Sequence, residues 1–262
     1  MTTDKTLFIT GAAAGIGRAT AHCFAAHGYT VGAYDIDEAG LATLSDMWGP
    51  RVITGRLDVT DADEMASRVD EFVAAVGGRL DVMVNNAGIL VAGEFAAIAP
   101  TAHHKEIDVN CRGVVNGSHA AFPHLKNTPG SVMVNLASAS AIYGQPELAV
   151  YSATKFFVRG ITEALDLEWS EHGIRVISMW PLFVRTAMTD DISTGTTSSL
   201  GINLTADDVA TAILAAVDAP PVRRAIHQVH FPVGRDTKAF ALGSRFSPAW
   251  LTRLLTKHLA RM

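Results

Sequence analysis

The chain has 262 residues, 48% of them hydrophobic and 18% charged, enough to bury a sizeable core and too apolar for a disordered or highly solvated protein. A net charge of -5 argues against a nucleic-acid partner. Two cysteines, Cys23 and Cys111, lie far apart without a C-x-x-C; they indicate neither a disulfide framework nor a zinc knuckle, and a reducing cytoplasm is expected.

No run reaches the roughly 18 apolar residues that span a bilayer. Residues 7–17 imitate a signal-peptide core, but they lack a basic stretch before them, and cleavage at Ala12-Ala13-Ala14 would destroy the first motif. That motif joins a short apolar run, Thr6–Thr10, to a turn carrying Gly11, Gly15 and Gly17, after which residues 18–27 read as an alanine-rich helix. Glycines let the backbone approach a pyrophosphate, and the helix start offers it unpaired N–H groups and a positive dipole end. The next strand, residues 30–34, ends in Asp35, where a carboxylate can accept hydrogen bonds from an adenosine ribose diol. With Asp37 and Glu38 close behind, Asp35 would repel a 2′-phosphate, so NAD is favoured over NADP; Arg18 is the one nearby cation that would reverse this.

Apolar runs continue at 52–57, 82–85, 132–136, 175–179 and 228–231, separated by helical patterns at 63–76, 101–124, 151–172 and 206–217. Strands alternating with helices predict an α/β fold: a single-domain, Rossmann-type doubly wound parallel sheet, a three-layer α/β/α sandwich binding ligands beyond the carboxyl ends of its strands. At those ends stand Asp58, the run Asn85-Asn86-Ala87-Gly88, and Ser138. On the helix that follows, Tyr151 and Lys155 are four residues apart and share one face. A fixed cation beside a phenol favours the phenolate, so the pair suggests an acid/base catalyst with a lowered tyrosine pKa.

Taken together these motifs resemble the short-chain dehydrogenase/reductase family over essentially the whole chain up to Phe231. The family's T-G-x-x-x-G-x-G falls on residues 10–17, its N-N-A-G on Asn86 and its neighbours, its Y-x-x-x-K on Tyr151 and Lys155, its serine on Ser138 and its asparagine on Asn110. The resemblance implies that Tyr151 is the general acid/base, that Lys155 lowers its pKa and binds the nicotinamide ribose, that Ser138 orients the substrate oxygen and that Asn110 keeps a proton relay open. Ser140 is a rival for the serine role. It further implies that the cofactor is held by Gly11, Ala14, Gly15, Ile16, Gly17, Asp35, Ile36, Asp58, Val59, Asn86, Ala87, Gly88, Tyr151, Lys155, Pro181, Val184 and Thr186, with Asp58 on the adenine. Where the family has Pro-Gly after the sixth strand, this chain has Pro181-Leu182, and leucine cannot take a positive φ cheaply.

The expected substrate residues are Ser138, Ala139, Gln145, Leu148, Tyr151, Leu182 and Met188, with Leu90, Ile142 and Tyr143 as further candidates. They are mostly apolar and include no cation for a carboxylate or phosphate beyond the catalytic pair, which points to a bulky lipophilic secondary alcohol or ketone. Residues 187–204 read as a substrate lid. Ser247-Pro248 starts a C-terminal amphipathic helix within 244–262, with Trp250, Leu254 and Leu255 on one face and Arg253, Lys257 and Arg261 on another. Its apolar face is open to its own domain, a neighbouring subunit, the pocket mouth or a membrane surface. A homo-oligomer, dimer or tetramer, is expected from the resemblance alone.

Other chemistries lack their patterns. His103, His104, His119 and His124 have no metal-ligand spacing, and there is neither the G-x-S-x-G of serine hydrolases nor the G-K-[ST] of phosphate-loop enzymes. Two rivals to an NAD-dependent dehydrogenase remain: an NADPH-dependent carbonyl or ketoacyl-type reductase, and a non-catalytic NAD-binding sensor or scaffold on the same fold.

Overall fold

The computed structural model describes residues 5–190, 201, 203–220, 227–244 and 247–259. Within it, β1 (Thr6–Thr10), β2 (Thr30–Asp35), β3 (Val52–Arg56), β4 (Val82–Asn85), β5 (Val132–Leu136), β6 (Arg175–Pro181) and β9 (His230–Val233) form one sheet in the order β3-β2-β1-β4-β5-β6-β9. Every pairing in it is parallel. The chain leaves β1 toward β2 on one side and returns to β4 on the other, which opens a crevice at the strand ends.

Period-two alternation sorts the core onto two faces. Leu7, Ile9, Val31, Val82, Val84, Val132 and Val134 point to one side and pack with Phe24 of α1 (Gly15–Ala26) and Ile213 of α8 (Ala206–Val217). Phe8, Met83 and Met133 point to the other, against Val69 and Phe72 of α3 (Ala62–Ala75) and Leu125 of α5 (Gly113–Lys126). Each such side chain contributes about 1.5–3 kcal/mol when fully buried. A one-residue slip of register would carry every side chain to the opposite face and its differently shaped set of partners, so packing on both faces fixes the pairing Leu7↔Val82↔Val132.

Several expected elements differ in extent. The predicted helix at 101–124 is α4 (Pro100–Ile107), a π-helical turn Asp108–Arg112, then α5. β9 lies two residues later than the sequence pattern suggests and contains Pro232, tolerated because β9 is an edge strand. α2 (Glu38–Trp48) was not anticipated; Asp37 caps it by accepting from the Gly40 N–H at 3.1 Å. Two short strands, β7 (Val184–Arg185) and β8 (Leu204–Thr205), pair beside α7 (Ala187–Asp190). Most of the proposed lid, 187–204, lies outside the described residues.

Beyond β9, α9 (Arg235–Ser244) is a further unanticipated helix, and α10 (Ala249–Leu259) follows Ser247-Pro248 as expected. On α10, Trp250 is 69% and Leu254 60% exposed, so this pair does not dock on its own domain. The side chain of Leu255 and all of Arg261 lie outside the described residues.

Candidate active site

The crevice opens into a cavity of about 710 Å³ along the carboxyl ends of β1, β2, β4, β5 and β6. At one end the glycine turn is held from below. Asn86 donates through Nδ2 to the carbonyls of Thr10 and Gly11, both at 2.9 Å, and the Asn86 and Ala87 N–H groups donate to Thr10 Oγ1, both at 3.1 Å. Gly11 has φ +67, and a Cβ at Gly17 would overlap the Gly11 carbonyl, so neither position admits a side chain. α1 begins with no capping side chain and no acid in its first turn, which leaves its N–H groups and positive dipole end toward the cavity. Across from it, a Cβ at Gly15 would come within 3.2 Å of Thr186 Cγ2. An anion-sized cradle of bare backbone N–H groups fits the pyrophosphate of a dinucleotide.

Asp35 lines the same end beside Ile36. One carboxylate oxygen accepts from the Ala13 N–H at 2.9 Å and the other from the Asp37 N–H at 3.1 Å, so Asp35 also ties the turn to β2. Asp58 accepts from the N–H and the hydroxyl of Thr60, at 2.9 and 2.8 Å, and these bonds hold its carboxyl below the ordinary range. Arg18 is exposed and does not line the cavity; His104 and Lys105 of α4 do.

At the other end stand Ser138, Tyr151 and Lys155, the last two near the start of α6 (Ala149–Trp169). Ser138 Oγ accepts from the Ser140 N–H at 3.1 Å and hydrogen-bonds the Tyr151 hydroxyl. Lys155 is 6% exposed; its Nζ donates to the Leu136 carbonyl at 3.0 Å and sits 5.4 Å from the centroid of the Tyr151 ring. This geometry corrects the expected acidification of the tyrosine. Burial pushes the Tyr151 phenol up to about 12 against the opposing Ser138 hydrogen bond, and burial pushes the Lys155 ammonium down to about 8. The ammonium is spent on a backbone carbonyl and the ring face, and desolvation decides the direction at the phenol.

Asn110 lies in the π-helical turn, 1% exposed. Its carboxamide accepts from Ile89 N–H at 2.8 Å and donates to Ile89 carbonyl at 2.9 Å and Thr154 Oγ1 at 3.1 Å, locking α6 to the segment after β4.

Of the expected cofactor residues, Gly11, Ala14, Gly15, Ile16, Asp35, Ile36, Asp58, Val59, Asn86, Ala87, Gly88, Tyr151, Lys155, Pro181, Val184 and Thr186 all line the cavity; Gly17 supports it from beneath. Of the substrate candidates, Leu90, Ser138, Tyr151, Leu182 and Met188 line it. Ala139, Ile142, Tyr143, Gln145 and Leu148 do not. The 3₁₀ turn Ala139–Ala141 carries them behind the wall: Gln145 donates to Ser140 Oγ at 3.2 Å, Leu148 is fully buried, and Tyr143 packs on Phe240 of α9. Leu182 has no positive φ, so the departure from the family's glycine carries no backbone strain. Ile89, Thr101, His104, Lys105, Val109 and Phe183 line the cavity unanticipated. Leu136 and Ala137, at the end of β5, were within reach of the strand-end rule; the α4 residues carried no local signal.

Residues 5–197 match the short chain dehydrogenase family. The chain is 37% identical over 187 residues to the 3-alpha-(or 20-beta)-hydroxysteroid dehydrogenase of Mycobacterium tuberculosis, covering 71% of each. Among solved structures it resembles a 3-ketoacyl-(acyl-carrier-protein) reductase from Brucella melitensis complexed with NADH, with TM-score 0.80 and 28% identity over 87% of this chain and 96% of that one. It also resembles a gluconate 5-dehydrogenase from Burkholderia cenocepacia in complex with NADP and tartrate, with TM-score 0.79 and 25% identity over 90% and 95%.

Proposed function

The chain belongs to the short-chain dehydrogenase/reductase family and is a nicotinamide-dependent oxidoreductase of CH–OH and ketone groups, and we propose that it interconverts a bulky, lipophilic secondary alcohol and its ketone with NAD. The observation that carries this reading is the convergence of Ser138, Tyr151 and Lys155 on one end of a single cavity whose other end carries Asp35 and the bare start of α1. The relatives act on steroids, acyl chains and a sugar acid by their names, so the substrate class rests on the cavity wall and not on likeness. That wall is apolar around Tyr151: Leu90, Leu182, Phe183 and Met188.

In this reading the nicotinamide, when bound, supplies the hydride chemistry. In oxidation, Ser138 Oγ and Tyr151 Oη hold the alcohol oxygen, and Tyr151, as its phenolate, takes the alcohol proton while hydride leaves the carbon. In reduction, Tyr151 returns the proton to the developing alkoxide. Lys155 anchors the Tyr151 ring to the end of β5 through the Leu136 carbonyl, and Asn110 keeps α6 in register with the Ile89 segment. The gain is orientation plus a proton donor held within hydrogen-bond reach.

The NAD preference is supported by Asp35 and by the lack, among the described residues, of a cavity-lining cation beside it. A 2′-phosphate there would face a carboxylate. The rival NADPH-dependent reductase has Lys105 in its favour, a cavity-lining cation whose charge reaches Asp58. We place the enzyme in the cytoplasm, in keeping with its two unbridged thiols, and as a homo-oligomer, in keeping with Val115, Phe156 and Leu167 exposed on α5 and α6.

The deciding experiment follows reduced-nicotinamide absorbance with NAD or NADP and a panel of steroid, cyclic and aryl alcohols. Turnover of at least one with NAD, at a higher kcat/KM than with NADP, is expected. Tight NAD binding without turnover of any member would indicate a sensor instead.

A further inference from the structure

Behind the cavity wall, where α4 meets α6, lies a carboxylate to which the proton transfer above assigns no role. Glu106 is fully buried, an environment carboxylates almost never occupy unpaired. Its Oε1 accepts from the Val91 N–H at 2.9 Å, while Oε2 has no hydrogen-bond partner among the described residues. Glu106 precedes Asn110 by four residues. The two side chains take alternate residues of one segment, Asn110 both backbone groups of Ile89 and Glu106 the N–H of Val91. A helix edge thus does for this segment what a neighbouring strand would do, and Ile89 and Leu90 are presented to the cavity.

Four other titratable groups share this space: His103 on α4, Cys111 in the π-helical turn, and Tyr151 and Lys155 on α6. Burial raises the Glu106 carboxyl, opposed by the Val91 N–H and by the charges of His103 and Lys155. In return the Glu106 charge raises Tyr151, Cys111 and Lys155. The carboxylate therefore has two separable properties, an acceptor oxygen and a charge.

We propose that Glu106 is a positioning residue of this site: its acceptor oxygen fixes the wall that carries Leu90, and its charge, when ionised, sets the field at Tyr151 and Lys155. The inference rests on the dehydrogenase reading, and its test therefore includes a measurement that needs no turnover. Glu106→Gln keeps an acceptor for Val91 and removes the charge; Glu106→Leu removes both. In a Cys23→Ser background, Cys111 of the Gln variant is expected to react with a thiol reagent at pH 8 about threefold faster or more, as half a pH unit in thiol acidity requires. In oxidation, its rising pH limb is expected about half a unit lower with KM unchanged. The Leu variant is expected to raise KM severalfold as well.

Equal Cys111 labelling in the Gln variant and its Cys23→Ser parent would overturn the field, and an unaltered KM in the Leu variant would overturn the wall. Should the Leu variant not fold, labelling and the Gln pH profile still decide. Should the unaltered enzyme turn over no alcohol, the functional reading falls, whereas the labelling rate still tests the charge of Glu106.

Discussion

Two polar clusters share a single stripe of α6. Tyr151 and Lys155 begin it, and Arg159 and Glu163 continue it at the same four-residue spacing. The second pair meets an arrangement that imitates a hydrolase: Ser178 Oγ lies 2.8 Å from His230 Nδ1, and His230 Nε2 lies 2.7 Å from Glu163 Oε1. Yet Ser178 is fully buried in β6, its Oγ already accepts from Trp180 Nε1 at 2.8 Å, and none of the three lines the cavity. Arg159 closes the cluster over the Trp180 ring and beside Glu163. The first cluster faces a cavity with hydroxyls placed to meet another oxygen, whereas the second is saturated and tethers the edge strand β9. Residue type does not separate them; access and unspent hydrogen-bonding capacity do.

The largest expected effect separates the clusters outright. Tyr151→Phe should lower kcat by about 10²–10⁴-fold with NAD binding retained, read by steady-state kinetics and calorimetry. Wild-type turnover in this variant would place the proton transfer elsewhere. Next comes pH. Because burial holds the phenol near 12, the phenolate is scarce at neutral pH and grows as pH rises, so oxidation should accelerate by up to about tenfold per unit through the alkaline range. A flat profile would remove Tyr151 as the titrating base.

Ser178→Ala probes the second cluster. Turnover should stay within about twofold, while stability falls by about 1–3 kcal/mol because the Trp180 N–H loses its acceptor, measured by urea unfolding. The smallest effect is thermal. Lys155 titrates near 8 folded and near 10.5 as an ordinary lysine, so between those values the unfolded chain binds the extra proton and stability rises with pH. Below that window the buried cation weighs against the fold, and Lys155→Met should melt roughly 2–4 °C higher at pH 7 while losing most activity. A lower melting point would mean that the Leu136 hydrogen bond outweighs the desolvation.

The sheet was readable because its strands are buried on both faces and so appear as short apolar runs between helical patterns, and the cofactor end because its glycines and Asp35 lie in one local unit. The wall around the substrate was less so. Ala139, Ile142, Tyr143, Gln145 and Leu148 lie near Ser138 in sequence, yet the 3₁₀ turn takes them behind it and leaves only Ser140 of that turn on the cavity, while Thr101, Lys105 and Val109 arrive from α4 and the π-helical turn after it. α2 had readable apolar spacing at Leu41, Leu44 and Trp48, but Asp37 and Glu38 were interpreted through the cofactor and not as helix-start acids. Lys155 misled by spacing alone: sharing a face fixes proximity, and which atoms spend the charge is decided by packing.

The ordinary backbone at Leu182 has a practical consequence. Since its φ lies outside the left-handed region, the position tolerates any side chain that its surroundings can accommodate. A library of residues there would redraw the shape of the substrate compartment without disturbing the scaffold, which makes this departure from the family pattern the natural place to retune selectivity.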